Sequence, residues 1–155
     1  MSYKVRYTEA GAGQLLRLID EELTVKVAST DTGGDFEVFE LTCPQGSGAP
    51  RSRHPWAEAY YALAGTFDVA VGARRTELHP GDTLLIPPNA VHEFVATTES
   101  ASMVVFSLGT EGGRFFSDVD ANVHPGDGPE VFGPALAQIA DRHHVTLVPA
   151  VGHDA

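Results

Sequence analysis

The feature that most constrains this chain is its punctuation. Sixteen glycines and ten prolines are spread through 155 residues. Between them lie short runs rich in Val, Phe, Tyr, Leu and Thr, and the middle of the chain offers few stretches long enough for a helix. Leu23–Val27 alternates apolar and polar residues, the period-2 signature of a half-buried strand. Strands are likewise expected at Phe36–Thr42, Ala59–Leu63, Thr66–Val71, Arg74–Leu78, Thr83–Ile86, His92–Ala96 and Met103–Ser107. Gly65, Gly72-Ala73 and Pro87-Pro88-Asn89 separate several of them as turns. Many short strands at close spacing predict an all-β sandwich or barrel.

The two ends read differently. Residues 1–35 are expected to form an arm, with strands near Gln14–Ile19 and Leu23–Ser29, packed on a barrel of residues 36–108. Residues 109–155 are expected to form a helical tail. In it, Arg114–Val119 reads as a short helix and Asp120–Gly133 as a surface loop. Pro134 suits the first turn of a second helix, where its missing N–H is unpaired anyway. Leu136, Ile139, Ala140 and His143 then share one helical face. Val145–Val148 reads as a terminal extended piece.

Charge excludes some functions. Ten basic residues face twenty-one acidic ones, a net charge of −11 with histidine neutral. A nucleic-acid binder needs clustered Lys and Arg, and an anionic membrane surface would repel this chain. The single cysteine, Cys43, allows no internal disulfide and reads as a small buried hydrophobe. Neither a leader-like apolar stretch at the start nor a span-length apolar run is seen, so the expectation is a soluble, cytoplasmic protein.

The chemistry concentrates between Gly46 and His92. His54, Glu58 and His92 are all groups that ligate divalent metals. Pro55 prevents a regular helix between His54 and Glu58, so a strand should end at His54 and another begin at Glu58. Strand alternation places Ser52 and His54 inward and Arg53 outward. It also groups Glu58 with Tyr60 and His92 with Phe94, so Tyr60 and Phe94 should line a pocket beside the three ligand-type groups.

This stretch resembles the cupin superfamily. The family's first motif, G-x5-H-x-H-x3-E-x6-G, falls on Gly46, Ser52, His54, Glu58 and Gly65. Its second, G-x5-P-x-G-x2-H-x3-N, falls on Gly81, Pro87, Asn89, His92 and Ala96. Three positions depart: Ser52 for His, Asn89 for Gly, and Ala96 for Asn. The style of the intervening sequence is most like small single-domain cupins of the quercetin-dioxygenase-like kind. The resemblance implies a double-stranded β-helix, a divalent metal (Fe, Mn, Ni, Co or Zn) on His54, Glu58 and His92, and a homodimer. It also implies dioxygenase-like chemistry on a small organic substrate, with Glu58 doubling as a catalytic base. Ser52 replaces the usual first ligand with a neutral hydroxyl, a poor partner for a transition metal. The alternative is therefore a metal-free cupin that binds a small ligand or works as a non-oxidative isomerase or cyclase. There the three groups would hydrogen-bond one another and water.

Other residues carry blander expectations. Arg51 and Arg53 read as solvated surface, Trp56 as a cover for apolar surface, and His79 as exposed. Phe115 and Phe116 read as tail packing, and His124, His143, His144 and His153 receive no function.

Overall fold

A computed structural model describes residues 2–149; His153 and the end of the tail lie outside them. The strands are β1 (Gln14–Leu18), β2 (Glu21–Val27), β3 (Phe36–Pro44), β4 (Gly48–Arg53), β5 (Glu58–Ala64) and β6 (Phe67–Val71). They continue with β7 (Arg74–Leu78), β8 (Thr83–Ile86), β9 (His92–Ala96), β10 (Ser100–Leu108) and a short β11 (Thr146–Leu147). Two helices, α1 (Glu111–Asn122) and α2 (Pro129–Arg142), precede β11.

The strands form two antiparallel sheets. One is ordered β1-β2-β3-β10-β5-β8 and the other β11-β4-β9-β6-β7. Alternation along each strand puts one face of each sheet into a shared core. Phe39, Leu41, Tyr60, Ala62 and Met103 come from the larger sheet, and Phe67, Val69, Phe94 and Ala96 from the smaller. Phe94 stands edge-on to both Tyr60 and Phe67, with ring centroids 5.6 and 5.8 Å apart. This is the geometry that aromatic quadrupoles favour. The arm is part of the sheet: β1 pairs with β2, and β2 with β3. No helix among the described residues is long and apolar enough to cross a membrane.

Turn chemistry follows the sequence. Asn89, at the motif position usually held by glycine, takes φ +64°. Asn tolerates that region because its side chain can bond locally. Gly65 takes φ +64°, and a Cβ there would collide with the Ser100 carbonyl.

The tail differs from expectation. Asp120–Gly133 is not a loop: α1 runs to Asn122, α2 starts at Pro129, and only residues 123–128 separate them. Pro129, not Pro134, holds the first helical position, and Pro134 lies inside α2 on an exposed side. Packing explains the difference. Phe132, Ala135, Leu136 and Ile139 of α2 close on Val119 and Val123, which outweighs the local penalty of glycine and proline. Gly112 and Gly113 also begin a helix instead of breaking one. A Cβ on Gly113 would displace the Glu37 carboxylate, so glycine leaves room for that carboxylate at the helix start.

Glu37 is buried on β3 and accepts the Gly113 N–H at 3.1 Å. Burial pushes its carboxyl up to about 7, against an ordinary value of 4.5. The folded protein therefore holds this proton more tightly than the unfolded chain. Stability from this group declines as pH rises from about 4.5 through 7, and the penalty is complete above that. Glu37→Gln removes the titration. It should stabilise the protein by about 1–2 kcal/mol more at pH 8 than at pH 5. Thermal unfolding of both proteins at the two pH values checks this; an identical difference at both would contradict it.

Candidate metal centre and cavity

Strand ends bring the three expected ligand-type residues together. His54 follows directly on β4, Glu58 opens β5 and His92 opens β9. Pairing of Ser52 with His92 sets β4 beside β9. The Asn89 N–H donates to the His54 carbonyl at 2.7 Å, tying the Pro87–Ala90 turn to the end of β4. His54, Glu58 and His92 are all buried, and one ligand atom from each lies within 4.8 Å of the others.

Local hydrogen bonds orient each group. His54 Nδ1 is 2.9 Å from the Trp56 carbonyl, and His92 Nδ1 is 2.9 Å from the Ala90 carbonyl. A carbonyl oxygen only accepts, so both Nδ1 atoms carry the proton and both Nε2 lone pairs are free. His54 Nε2 lies 3.5 Å from Glu58 Oε1. Two ligands of one tetrahedral ion, each at about 2.1 Å, stand about 3.4 Å apart. His54 Nε2 and Glu58 Oε1 already stand close to that spacing. Neutral imidazoles backed by carbonyls and one carboxylate are a donor set that fits a first-row divalent ion.

The electrostatics agree with that fit. Burial, with help from neighbouring His92, lowers the His54 pKa to about 4, and burial lowers that of His92 too. Both imidazoles are therefore neutral near pH 7. Burial raises Glu58 to about 7, partly offset by the Trp56 and Tyr60 hydrogen bonds. Trp56 Nε1–H donates to Glu58 Oε1 at 3.2 Å and the Tyr60 hydroxyl to Oε2 at 3.4 Å. Burial and the Glu58 carboxylate hold Tyr60 well above its usual pKa, so it remains a phenol and a donor.

Above the trio is a cavity of about 130 Å³. Ser52, Tyr60 and Phe94 line it, as the alternation of β4, β5 and β9 predicts. Three further contributions were not legible as site residues. Trp56 is a site residue, not merely a cover. Its ring lies 4.0 Å from that of His54 at an interplanar angle of 13°. Its place between a motif histidine and a motif glutamate was the available signal. Phe115 and Phe116 of α1 do more than pack the tail, because they wall the cavity. Glu21, from the arm, also lines it; nothing in its local sequence marks it. Of the two flanking arginines, Arg53 is exposed, but Arg51 is half-buried because β11 runs alongside β4, with the Val148 N–H on the Arg51 carbonyl. His79 is exposed, and Cys43 is fully buried, its thiol pushed up to about 12 chiefly by burial.

A two-sheet antiparallel barrel with a His-Glu-His cluster on its inner wall defines a class that can be compared with known proteins. A family model described as the cupin domain matches residues 39–109. The curated quercetin 2,3-dioxygenase of Bacillus subtilis is 29% identical over 97 residues. That match takes in 62% of this chain and spans only 29% of the dioxygenase's length. Among solved structures, an RmlC-like cupin from Shewanella frigidimarina superposes with a TM-score of 0.62 at 14% identity. It covers 71% of this chain and 96% of that one. The polyketide cyclase RemF from Streptomyces resistomycificus gives 0.60 at 18%, covering 67% and 79%. A predicted oxalate decarboxylase from Thermotoga maritima gives 0.62 at 13%, covering 66% and 98%. At such identities these structures speak for fold alone. The family model places a cupin domain at residues 39–109, and the structures agree with its jelly-roll architecture.

Proposed function

We propose that His54, Glu58 and His92 hold one divalent metal ion, and that the domain is a metal-dependent enzyme acting on a small organic substrate in the cavity. The observation that carries this reading is the convergence of two free Nε2 lone pairs and a buried carboxylate on one point beneath an apolar cavity. The sequence likeness to a quercetin dioxygenase favours oxygenase-type chemistry. An ion bound there would supply Lewis acidity toward a substrate oxygen. The chain's own groups do the rest. The Trp56 and Ala90 carbonyls keep the imidazoles neutral and aimed. Trp56 and Tyr60 hold the two oxygens of Glu58, which is placed to take a proton from a substrate hydroxyl. Tyr60, Phe94 and Phe116 exclude water and pack the substrate body.

A second reading has its own observation. Ser52 lines the cavity where the cupin motif has its first histidine, which reduces the protein ligands to three. The cavity would then serve as a metal-free ligand site or a non-oxidative isomerase or cyclase; the fold likeness to a polyketide cyclase is compatible with that. Elemental analysis separates the two readings. The metal reading expects near one equivalent per chain in the wild type, a loss of at least about tenfold in affinity in His54→Ala and His92→Ala, and tighter retention in Ser52→His. Oxygen uptake with phenolic substrates would then test the oxygenase form. Metal-free wild type with uptake restored by Ser52→His would favour the second reading.

We also propose that a second copy of the chain covers the arm. Arg6 bonds Asp31 and Thr8 bonds the Lys26 carbonyl, which ties one side of the arm down. Val5 and Tyr7, alternating with them, are 101% and 84% exposed. Edge strand β8 presents Leu85, and neighbouring β5 presents Tyr61 and Leu63. An apolar stripe at strand period and an open apolar sheet edge on one molecule suit a reciprocal, two-fold pairing. Light scattering should give a dimer mass, falling to monomer in Val5→Glu/Tyr7→Glu. A monomeric wild type would refute it.

A further inference from the structure

The cavity has a second polar element. Glu21 opens β2 and shares its inward face with Leu23. The residue is 9% exposed and lines the same cavity as the trio. Among the described residues the backbone N–H groups of Asp20, Glu21 and Gly48 face its carboxylate, the Asp20 carboxylate and the Cys43 thiol stand nearby, and no cation pairs with it. The wall around it is apolar: Leu18, Leu23, Leu41, Phe116 and Val119. A carboxylate buried without a cation or side-chain donor is costly and is retained where something else supplies the partner. The turn that delivers it is also strained. Ile19, β-branched, takes φ +63° and packs its side chain among residues of α1 and α2 at the cavity wall.

Register locates Glu21 relative to the trio. Gly48, which faces Glu21, pairs with Val95 on β9, three residues beyond His92. At a strand rise of about 3.3 Å per residue, the two polar ends are separated by about 10 Å. The space between is apolar and of about 130 Å³. A dry protein cavity of about 150 Å³ accepts benzene, so this one suits a single ring.

We propose that Glu21 is the specificity residue at the far end of the cavity. It selects a ring-sized apolar ligand that carries a hydrogen-bond donor, a hydroxyl or an amine, on the end remote from His54, Glu58 and His92. This rests on the cavity being the ligand site, as proposed above. It does not require the metal. A ligand donor adds to the backbone hydrogen bonds of the Glu21 carboxylate, whereas an apolar isostere takes its place against water and leaves it those backbone partners alone.

The probes are p-cresol and p-xylene, which differ by a hydroxyl in place of a methyl. Calorimetric titration is run on the protein as purified and again after chelator treatment, with metal content measured on each sample. Wild type should bind p-cresol at least about tenfold more tightly than p-xylene. Glu21→Leu should reverse that order while keeping p-xylene binding, which also reports an intact cavity. Glu21→Gln, the same shape with one acceptor, should shrink the preference several-fold and serves if the leucine variant does not fold. Equal binding of the two probes by wild type, no binding of either, or an unchanged preference in the variants overturns the proposal. A protein that carries no metal as purified yet prefers p-cresol through Glu21 refutes only the metal reading. A metal-bearing protein indifferent to Glu21 refutes only this one.

Discussion

The carbonyl oxygens of Trp56 and Ala90 each accept a hydrogen bond from an imidazole Nδ1 at 2.9 Å, and the character of the barrel interior depends on those two bonds. They fix one tautomer for His54 and for His92, and leave His54 Nε2 3.5 Å from Glu58 Oε1 with a ligand atom of His92 within 4.8 Å. The backbone that offers these carbonyls is set by two proline turns. Pro55 breaks the chain between β4 and β5, and Pro87-Pro88-Asn89 precedes β9. The Asn89-to-His54 hydrogen bond joins the two turns. The geometry of the trio is therefore a property of backbone that the barrel's strand pairing holds in place.

Burial then sets the charge state. Three ionisable groups are enclosed with aromatic neighbours, and desolvation drives both histidines to the neutral form. It also raises Glu58 to about 7, although Trp56 and Tyr60 each donate to its carboxylate. An enclosed carboxylate beside two neutral imidazoles lacks positive charge, and a divalent cation is the group that would offset it. α1 and α2 complete the enclosure, with Phe115, Phe116 and Leu136 lining the cavity that the barrel alone would leave more open.

Much of this was legible in the sequence, for physical reasons. Period-2 alternation reports burial directly, so β2 is legible where apolar and polar residues alternate, while β7 and β8 are marked by the turns that bound a polar and a short apolar run. The same alternation located Ser52, His54, Glu58, Tyr60, His92 and Phe94 on the inner face. The strand β4 was visible only by its end, because Gly48-Ala49-Pro50 carries no apolar alternation. In the tail, glycine and proline signal breaks in the chain that packing overrides. At Gly113 the missing side chain leaves room for the Glu37 carboxylate, and at Pro134 docking of α2 outweighs the lost hydrogen bond. The site roles of Trp56 and Glu21 arise from contacts across loops and strands, which local pattern does not encode.

The central claim is that His54 and His92 are neutral Nδ1–H tautomers presenting Nε2 to a common ion. Long-range proton–nitrogen correlation spectra of the imidazoles near pH 7, with and without one equivalent of zinc, test it most directly. The account predicts that the metal-free protein shows both rings protonated at Nδ1 only. Zinc should shift both Nε2 resonances together, leaving the Nδ1 resonances hydrogen-bonded to carbonyls. Rings found doubly protonated, or Nε2 resonances that stay in place when zinc is added, would contradict it.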